Sequence, residues 1–432
     1  MVCHIQLTYI RPDDRLSLTA LDVAVENLCS HLINFNNNKS SPMEHLQQNF
    51  SVKYSYNVFF TSALFAKDNS LLNGFLTNAA TSGALRKILF VVDQGVADAH
   101  GHLCSDISSY FQAHTAVHLV PEILLIPGGE YVKNDERYFD MILDAVNNYG
   151  IDRHSYIAAI GGGAVLDMAG YAAAVAHRGV KLIRIPTTVL SQNDSGIGVK
   201  NSINYFGKKN FLGTFAPPAA VFNDDQFLTT LTDRDWRSGI SEAIKVALIK
   251  DPVFFNWIEQ NAPALVSRDA AAMNYLIWRC AQLHMQHIAG ADPFESGSSR
   301  PLDFGHWSAH KLEYLSGFDI RHGEAVAMGI ALDTVYSCLC GRLTAADSER
   351  VVSLIQNLGF EISHGLLRIS GDDSPLLQGL EEFREHLGGE LTITLLNAIG
   401  EGAEVNEIDT ELLKQASIEL YNRQFELQQT QI

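Results

Sequence analysis

Between Phe50 and Asp225 the chain repeats one pattern: a short apolar run, a turn of glycine, proline or acid, then a helical stretch. Lys87–Val92 ends at Asp93, Ile123–Ile126 at Pro127-Gly128-Gly129-Glu130, and Tyr156–Ile160 at Gly161-Gly162-Gly163. Leu182–Ile185 ends at Pro186-Thr187-Thr188, and Ala219–Phe222 at Asn223-Asp224. The segments between them carry apolar residues at helical spacing, as in Asp135–Tyr149 with Phe139, Ile142, Leu143 and Val146. Strand, turn and helix in alternation predict an α/β fold built on a parallel sheet. Ligands of such sheets bind at the carboxyl ends of the strands, where these turns sit.

From about Phe227 the pattern becomes helical: Ile240–Ile249, Phe254–Ala264, Ala270–Ala289, Phe304–Ser316, Glu324–Cys340, Asp347–Leu358 and a last helix over Thr410–Leu427. Two short β-like runs, Leu391–Leu396 and Ala403–Val405, precede that last helix. The segment Asn36-Asn-Asn-Lys-Ser-Ser-Pro42 is a polar, turn-rich linker, and an amphipathic helix is expected before it, around Thr19–Ile33. The expected organisation is an extension over residues 1–48, an α/β domain over 49–226 and a mainly helical domain over 227–432, with a cleft between the last two.

Charge narrows the partners. The chain has 31 basic and 49 acidic residues, a formal net charge of −18. Phosphate polymers are held by Lys and Arg, so a nucleic-acid binder is excluded, as is a polybasic membrane-surface protein. A small anionic substrate stays open if the cations are concentrated at one site. The start, Met1–Tyr9, lacks the basic-then-apolar order of a secretory signal. The longest apolar-looking stretch, Tyr156–Ala176, is interrupted by Asp167 and four glycines, which argues against a membrane span. Six cysteines in 432 residues make no disulfide framework, and the Cys338-x-Cys340 pair lacks structural-zinc spacing. A cytoplasmic location is expected.

Three constellations carry chemistry. Gly161-Gly162-Gly163 lets backbone N–H groups approach a pyrophosphate at a helix N-terminus, although tight packing alone would also use glycine there. Pro127-Gly-Gly-Glu130 is a second glycine turn on the same edge, and the two together favour a nucleotide. His306 and His310, at i and i+4, share a helix face, and His322 follows, making three histidines in 17 residues. Histidine nitrogens with one carboxylate and an open position make a catalytic zinc site. Glu242 is the candidate carboxylate; the competing reading is a surface ion pair with Lys245. Finally, Lys200, Lys208, Lys209 and Asn210 lie among glycines, with Arg178 upstream; this basic loop suits a phosphate.

Taken in order, these segments resemble the dehydroquinate synthase superfamily, the sugar phosphate cyclases, over roughly residues 55–425. The matching stretches are Pro127-Gly-Gly-Glu130 with Lys133, Gly161-Gly-Gly-Ala-Val-Leu-Asp167, Arg178-Gly, Pro186-Thr-Thr188, Asp194-Ser195 with Lys200 and Lys209-Asn210, Glu242-Ala-Ile-Lys245, Gly305-His306 with His310, and His322-Gly-Glu-Ala. The resemblance implies a Rossmann-like NAD domain, a helical metal-binding domain, a homodimer and a carbon–oxygen lyase acting on phosphates. It implies Zn2+, or Co2+, on Glu242, His306 and His322. It places NAD along Asp93, Glu130, Lys133, Gly161, Gly162, Gly163, Asp167, Thr187, Thr188, Lys209, Phe227 and Thr230. The substrate phosphate would meet Lys200, Asn210, His310 and Arg178, the last often from the partner subunit; Asp194 and Lys245 would hold hydroxyls. The implied chemistry is transient oxidation of a ring hydroxyl by NAD+, elimination of phosphate, return of the hydride, and an aldol closure of a carbocycle.

The chain departs from the family where the substrate carboxylate is gripped. Dehydroquinate synthases read E-x-G-x-R-x-x-L-N before the Gly-His motif, with a lysine about two helical turns earlier. Here Ser299 stands at the arginine position, Asp303 at the asparagine position and Met285 at the lysine position. Losing two charge-assisted partners removes about 1.5–3 kcal/mol each from carboxylate binding. The expected substrate is therefore a phosphosugar without a carboxylate, such as sedoheptulose 7-phosphate. Valiolone-type cyclases typically carry proline where His310 stands. The stretch 297–307 looks like that of the dehydroquinate-synthase-like proteins encoded in bacterial Ebo gene clusters. The alternatives are a genuine 3-dehydroquinate synthase and an NAD-dependent polyol or alcohol dehydrogenase of the same fold.

Overall fold

The computed structural model describes residues 46–79, 86–290, 294, 303–371, 373–386 and 389–430. The helix expected around Thr19–Ile33 and the stretch from Glu295 to Leu302, with Ser299, lie outside the described residues. Residues 46–53 carry no regular secondary structure and belong to a separate unit from residues 54–432.

Within 54–432, six parallel strands form one sheet: β1 (Asn57–Thr61), β2 (Lys87–Asp93), β3 (His118–Ile126), β4 (Tyr156–Gly161), β5 (Lys181–Pro186) and β8 (Ala220–Asp224). Their spatial order is β1-β8-β5-β4-β2-β3. The chain runs outward from β2 to β3, then crosses back over β2 to β4 and continues the other way through β5 to β8. The reversal lies between β2 and β4, so the carboxyl ends of those two strands, Asp93 and Gly161, form the topological switch point where such sheets bind ligands. All six residues of β4 are buried, as expected of a parallel strand covered on both faces. One face packs Leu89, Val91 and Ala159 under Ile142, Val146 and Leu166; the other packs Phe90, Val92 and Ile160 against Ile107, Tyr110 and Phe222.

The segment read as a basic loop is an antiparallel hairpin, β6 (Lys200–Tyr205) and β7 (Lys208–Phe215). Loop chemistry at Phe206-Gly207 hid two strands whose second member, β7, is mostly exposed. The strand β1 and the helices Leu71–Asn78, Gln94–Ala99, Leu103–Ala113 and Pro375–His386 also had no assigned pattern.

Five helices position the site: α1 (Gly163–Val175), α2 (Ile240–Lys250), α3 (Ala270–Ile288), α4 (His306–Leu315) and α5 (His322–Leu339). The helical part has its own large core, with Ile244, Leu248, Ile277, Trp307, Val326 and Ile330 among its members. The β-hairpin β9–β10 (Ile393–Ala398 and Glu401–Val405) packs on the same core through Leu395 and Leu396. Among the described residues, no helix is long and apolar enough to cross a membrane.

Candidate active site

At the switch point three turns converge. Asp93 caps the helix after β2, accepting from Gly95 N at 2.9 Å, and it also accepts from the Gly162 amide of the triple-glycine turn. Gly128, in the turn after β3, closes against it: a Cβ there would fall 2.3 Å from Asp93 Oδ2. Burial raises the Asp93 carboxyl above its ordinary value, against the three amides that favour the charge. The triple glycine opens α1 with Gly162 as its N-cap, and a Cβ on Gly163 would fall 2.8 Å from Ser195 Oγ. Thr187, 1% exposed, has a hydroxyl with no partner among the described residues, and so does Ser195. Orphaned hydroxyls beside a glycine-opened helix N-terminus suit a nucleotide's phosphates and sugar. Thr188 is instead occupied locally, its hydroxyl 2.9 Å from Ser191 Oγ. Phe227 and Thr230 lie together against His100, which had no assigned role: the rings of Phe227 and His100 meet edge-on at 5.2 Å, and Thr230 Oγ1 is 2.9 Å from His100 Nε2.

Lys133 gathers a second group. Buried at 3% exposure, its ammonium lies 2.8 Å from Asp167 Oδ2, 3.1 Å from Ser202 Oγ and 3.8 Å from Glu130, and bonds the Asn210 amide oxygen. Asn210, expected at the substrate phosphate, is thus grouped with residues expected at the cofactor. Lys209, expected at the cofactor, reaches the other way, to Glu313 Oε1 at 3.2 Å. Burial works against the Lys209 charge, but Glu313 and Glu130 outweigh it and raise its pKa.

The Glu–His–His set assembles. Every residue of α2 from Ile240 to Ile249 is buried, and Glu242 is 0% exposed. Its Oε1 lies 3.5 Å from His306 Nε2 and 3.3 Å from His322 Nε2. His306 Nδ1 faces the Phe304 carbonyl at 3.2 Å, and His322 Nδ1 faces Glu313 Oε2 at 3.0 Å. An acceptor at each Nδ1 favours a proton there, so each ring, once neutral, would offer its Nε2 lone pair beside the one carboxylate. Neither Glu242 oxygen has a hydrogen bond of ordinary geometry, although the Lys245 ammonium touches it as an ion pair. Two imidazole lone pairs and an under-satisfied buried carboxylate, all within 4.8 Å of one another, fit a divalent cation with N and O ligands. Lys245 is buried too, so the surface-pair reading of Glu242 and Lys245 is wrong; the helix carrying them is internal.

The sequence reading missed Glu313, which orients His322. It sits three residues after His310 on the same face of α4 and is 4% exposed. Burial opposes its charge, but His322 and Lys209 hold its carboxyl well below the usual range. Burial also opposes the His322 imidazolium, yet Glu313 and Glu242 raise it to about 9. Asp333 was missed as well: 1% exposed, it accepts from Gly305 N at 2.9 Å and from Trp307 Nε1 at 3.0 Å, pinning both neighbours of His306. His310 is exposed, its ring stacked on His322 at 5.8 Å.

Asp194 lies in a single π-helical turn, Ser191–Ser195. The amides of Gln192 and Asn193 anchor that turn to Pro186 O, Asp224 O and Gly239 O. Its carboxylate faces Lys245 and His284, which with the burial and Glu242 that oppose them leave its pKa lowered. Lys200, exposed at the start of β6, follows on the same segment. Arg178 is not brought to this site. It is exposed, with φ +62°, beyond the far end of the 13-residue α1, about 20 Å along the helix from Gly163.

Comparison with known proteins gives the family. Residues 123–238 match the family model "3-dehydroquinate synthase N-terminal" and residues 239–376 match "3-dehydroquinate synthase C-terminal". A 3-dehydroquinate synthase of Nitrosomonas europaea is 36% identical over 297 residues, 68% of this chain and 79% of that protein. Among solved structures, ValA, a 2-epi-5-epi-valiolone synthase from Streptomyces hygroscopicus subsp. jinggangensis 5008 with NAD+ and Zn2+ bound, superposes with a TM-score of 0.78 at 28% identity, covering 88% of this chain and 100% of that one. A 2-deoxy-scyllo-inosose synthase complexed with carbaglucose-6-phosphate, NAD+ and Co2+ shares the fold, with a TM-score of 0.68 at 22% identity over 83% of this chain and 95% of that one. With both family models matched in order and the Glu–His–His set brought together, the chain belongs to the 3-dehydroquinate synthase family, that of the sugar phosphate cyclases.

Proposed function

We propose that the chain is an NAD- and divalent-metal-dependent cyclase that eliminates phosphate from a phosphosugar lacking a carboxylate, such as sedoheptulose 7-phosphate, and closes a carbocycle. The observation that carries the substrate class is Met285. At the position where 3-dehydroquinate synthases bring a lysine to the substrate carboxylate, this side chain packs with Tyr56 and Val58 against Ile197, Val221 and Ala281. Met285 thus offers a substrate carboxylate no cation in exchange for the hydration it would shed.

In this reading Glu242, His306 and His322 hold Zn2+ or Co2+, and Glu313 fixes the ring of His322. The turn at Gly161–Gly163, with Asp93, Glu130, Lys133, Asp167, Thr187, Thr188 and Lys209, cradles the dinucleotide, and Phe227 and Thr230 close its far end. Lys200, Asn210 and His310 receive the phosphate, joined by Arg178 of a second subunit in a homodimer. Asp194 and Lys245 hold hydroxyls and keep the ring in register. A metal held there would supply polarisation of a ring oxygen, and a dinucleotide held along these turns would supply reversible hydride acceptance. The buried walls around Glu242 would exclude water from the reacting ring.

A panel of phosphosugars, read by phosphate release, tests the proposal. Sedoheptulose 7-phosphate or another neutral-ended sugar should release phosphate with no net NADH. Turnover of 3-deoxy-arabino-heptulosonate 7-phosphate, with the neutral-ended sugars inert, would overturn it. That outcome belongs to the second reading, a genuine 3-dehydroquinate synthase, which the 36% identity to such enzymes favours. Steady accumulation of NADH from a simple polyol would overturn both in favour of a dehydrogenase.

A further inference from the structure

A small cleft opens at the carboxyl ends of β1 and β8, with β5 between those strands and β4 of the switch point. Strand alternation sends Phe59 into the core, stacked on Phe222 at 5.0 Å, and Phe60 to the opposite face. Phe60 stands in register with Asn223 of β8, and both line the cleft. The facing wall is α3, where Asn274, Ile277 and Trp278 share one face at i, i+3 and i+4. The cleft measures about 280 Å3, at the small end of ligand sites, with room for one ring-sized molecule.

Its buried part is polar. Asn223 is 2% exposed, and its Nδ2 donates to Gln192 O at 2.7 Å. That bond fixes the amide and leaves Oδ1 an acceptor with no partner among the described residues. Asn274 Nδ2 donates to Asp225 Oδ2 at 3.1 Å, which makes its own Oδ1 a second acceptor. The rim is aromatic: Phe60 and Trp278 are both about 43% exposed. No lysine, arginine or histidine lines the cleft among the described residues, and Asp225 adds a negative charge. Such a set repels phosphates and carboxylates. An ammonium would have to leave water for a neutral amide oxygen, which is costly. A hydroxyl donates to that oxygen at little cost, while the C–H faces of a ring pack on the aromatic rim.

We propose that this cleft is a second binding site, for a neutral polyhydroxylated ring. Elimination of phosphate and closure of a carbocycle turn an anionic sugar into a molecule of that class. The cleft therefore takes product and refuses substrate. The product assignment rests on the cyclase reading above; the binding of a neutral polyol rests on the cleft alone.

The test is a ligand-observed NMR titration of the full chain, supplied with NAD+ and Zn2+, using myo-inositol as the neutral ring. Binding should saturate in wild type and persist in His306→Ala, which disables the Glu–His–His set and leaves the cleft intact. Asn223→Leu and Trp278→Ala should each weaken it about tenfold or more. Trp278 lies at the surface, so its removal keeps the fold even where Asn223→Leu does not. Trp278→Ala should also leave phosphate release from the phosphosugar unchanged. Absence of saturable myo-inositol binding in wild type overturns the proposal. So does binding lost in His306→Ala but kept in Trp278→Ala, which puts the polyol in the reaction site. Tighter binding of cyclohexylamine than of myo-inositol overturns the neutral-ligand assignment. Saturable, Trp278-dependent binding in a protein that releases phosphate from none of the phosphosugars upholds the cleft and overturns the cyclase reading.

Discussion

Glu242 carries a charge on a helix whose residues from Ile240 to Ile249 are all buried. An uncompensated carboxylate there would be very costly, so its environment must supply positive charge or a cation. Lys245 supplies one contact and the two Nε2 atoms supply the geometry for more. Glu313 acts one step out, on the ring of His322. Glu313→Gln should lower metal affinity about 10–100-fold, as loss of a supporting carboxylate does elsewhere, measured by competition with a chromophoric chelator. Asp333 makes a different prediction. Burial raises it from 3.8 to about 7, against the donations from Trp307 and Gly305. Between those two values the folded protein keeps a proton that the unfolded chain has released, so this group's contribution to stability is present below pH 4 and is lost as pH rises through 7. Asp333→Asn removes that titration, although it surrenders one of two accepted hydrogen bonds. The stability difference, variant minus wild type, should therefore rise by a few kcal/mol between pH 4 and pH 8 in denaturant melts. A pH-independent difference would contradict the assignment.

At the scale of elements, the segment between the π-turn and β6 is the part most dependent on distant residues. Arg184, 0% exposed on β5, donates to three of its carbonyls and to Asn201 Oδ1 at 2.7 Å. Arg184→Met leaves those acceptors buried without donors. It should cost about 3 kcal/mol or more, read in a denaturant melt, and should weaken inorganic phosphate binding because Lys200 rides on the loosened segment. Helix α1 constrains the same residue: a Cβ on Gly170 would fall 1.8 Å from Asn201 Oδ1. Gly170→Ala should cost about 1–3 kcal/mol, since Asn201 is fixed by Arg184 and cannot yield freely. The basic hairpin shows why local reading fell short here. Lysines, asparagine and glycine in close succession are turn chemistry, and β7 is mostly exposed, so no apolar alternation announced two strands. Arg184 left a fainter signal, one charge inside the otherwise apolar run Leu182–Ile185.

At the scale of the whole molecule, the net charge of −18 says little until its distribution is seen. Lys209 and Lys245 reach Glu313 and Glu242 at the site and Lys200 opens β6, while Arg178 lies beyond the opposite end of α1. If Arg178 serves a neighbouring subunit's phosphate site, activity lost in one variant can be recovered by mixing. Arg178→Ala and His306→Ala proteins should each be inactive alone. Randomly reassorted dimers should recover about one quarter of wild-type phosphate release, because half are mixed and each mixed dimer has one intact site. Recovery near zero, with mixed dimers verified, would place Arg178 outside a shared site.

Periodicity and residue identity are local properties, and they suffice for the parallel sheet, the turns at its carboxyl edge and the helical second half, while the Glu242, His306 and His322 set came with the family resemblance. Each rests on residues close in sequence or on chemistry that few residue types supply. What the chain alone could not decide are distances between residues far apart along it. Tertiary packing decides that Glu313 rather than solvent meets His322 Nδ1, that Asn210 joins Lys133 while Lys209 turns to Glu313, and that Met285 packs on the cluster of Ile197, Val221 and Ala281. It also decides that His284 comes within 2.9 Å of Asp194, 90 positions away in the chain. The physical reason is common to all four: a side chain's partner is set by which helix faces and strand ends the core brings together, and spacing along one element carries no record of that.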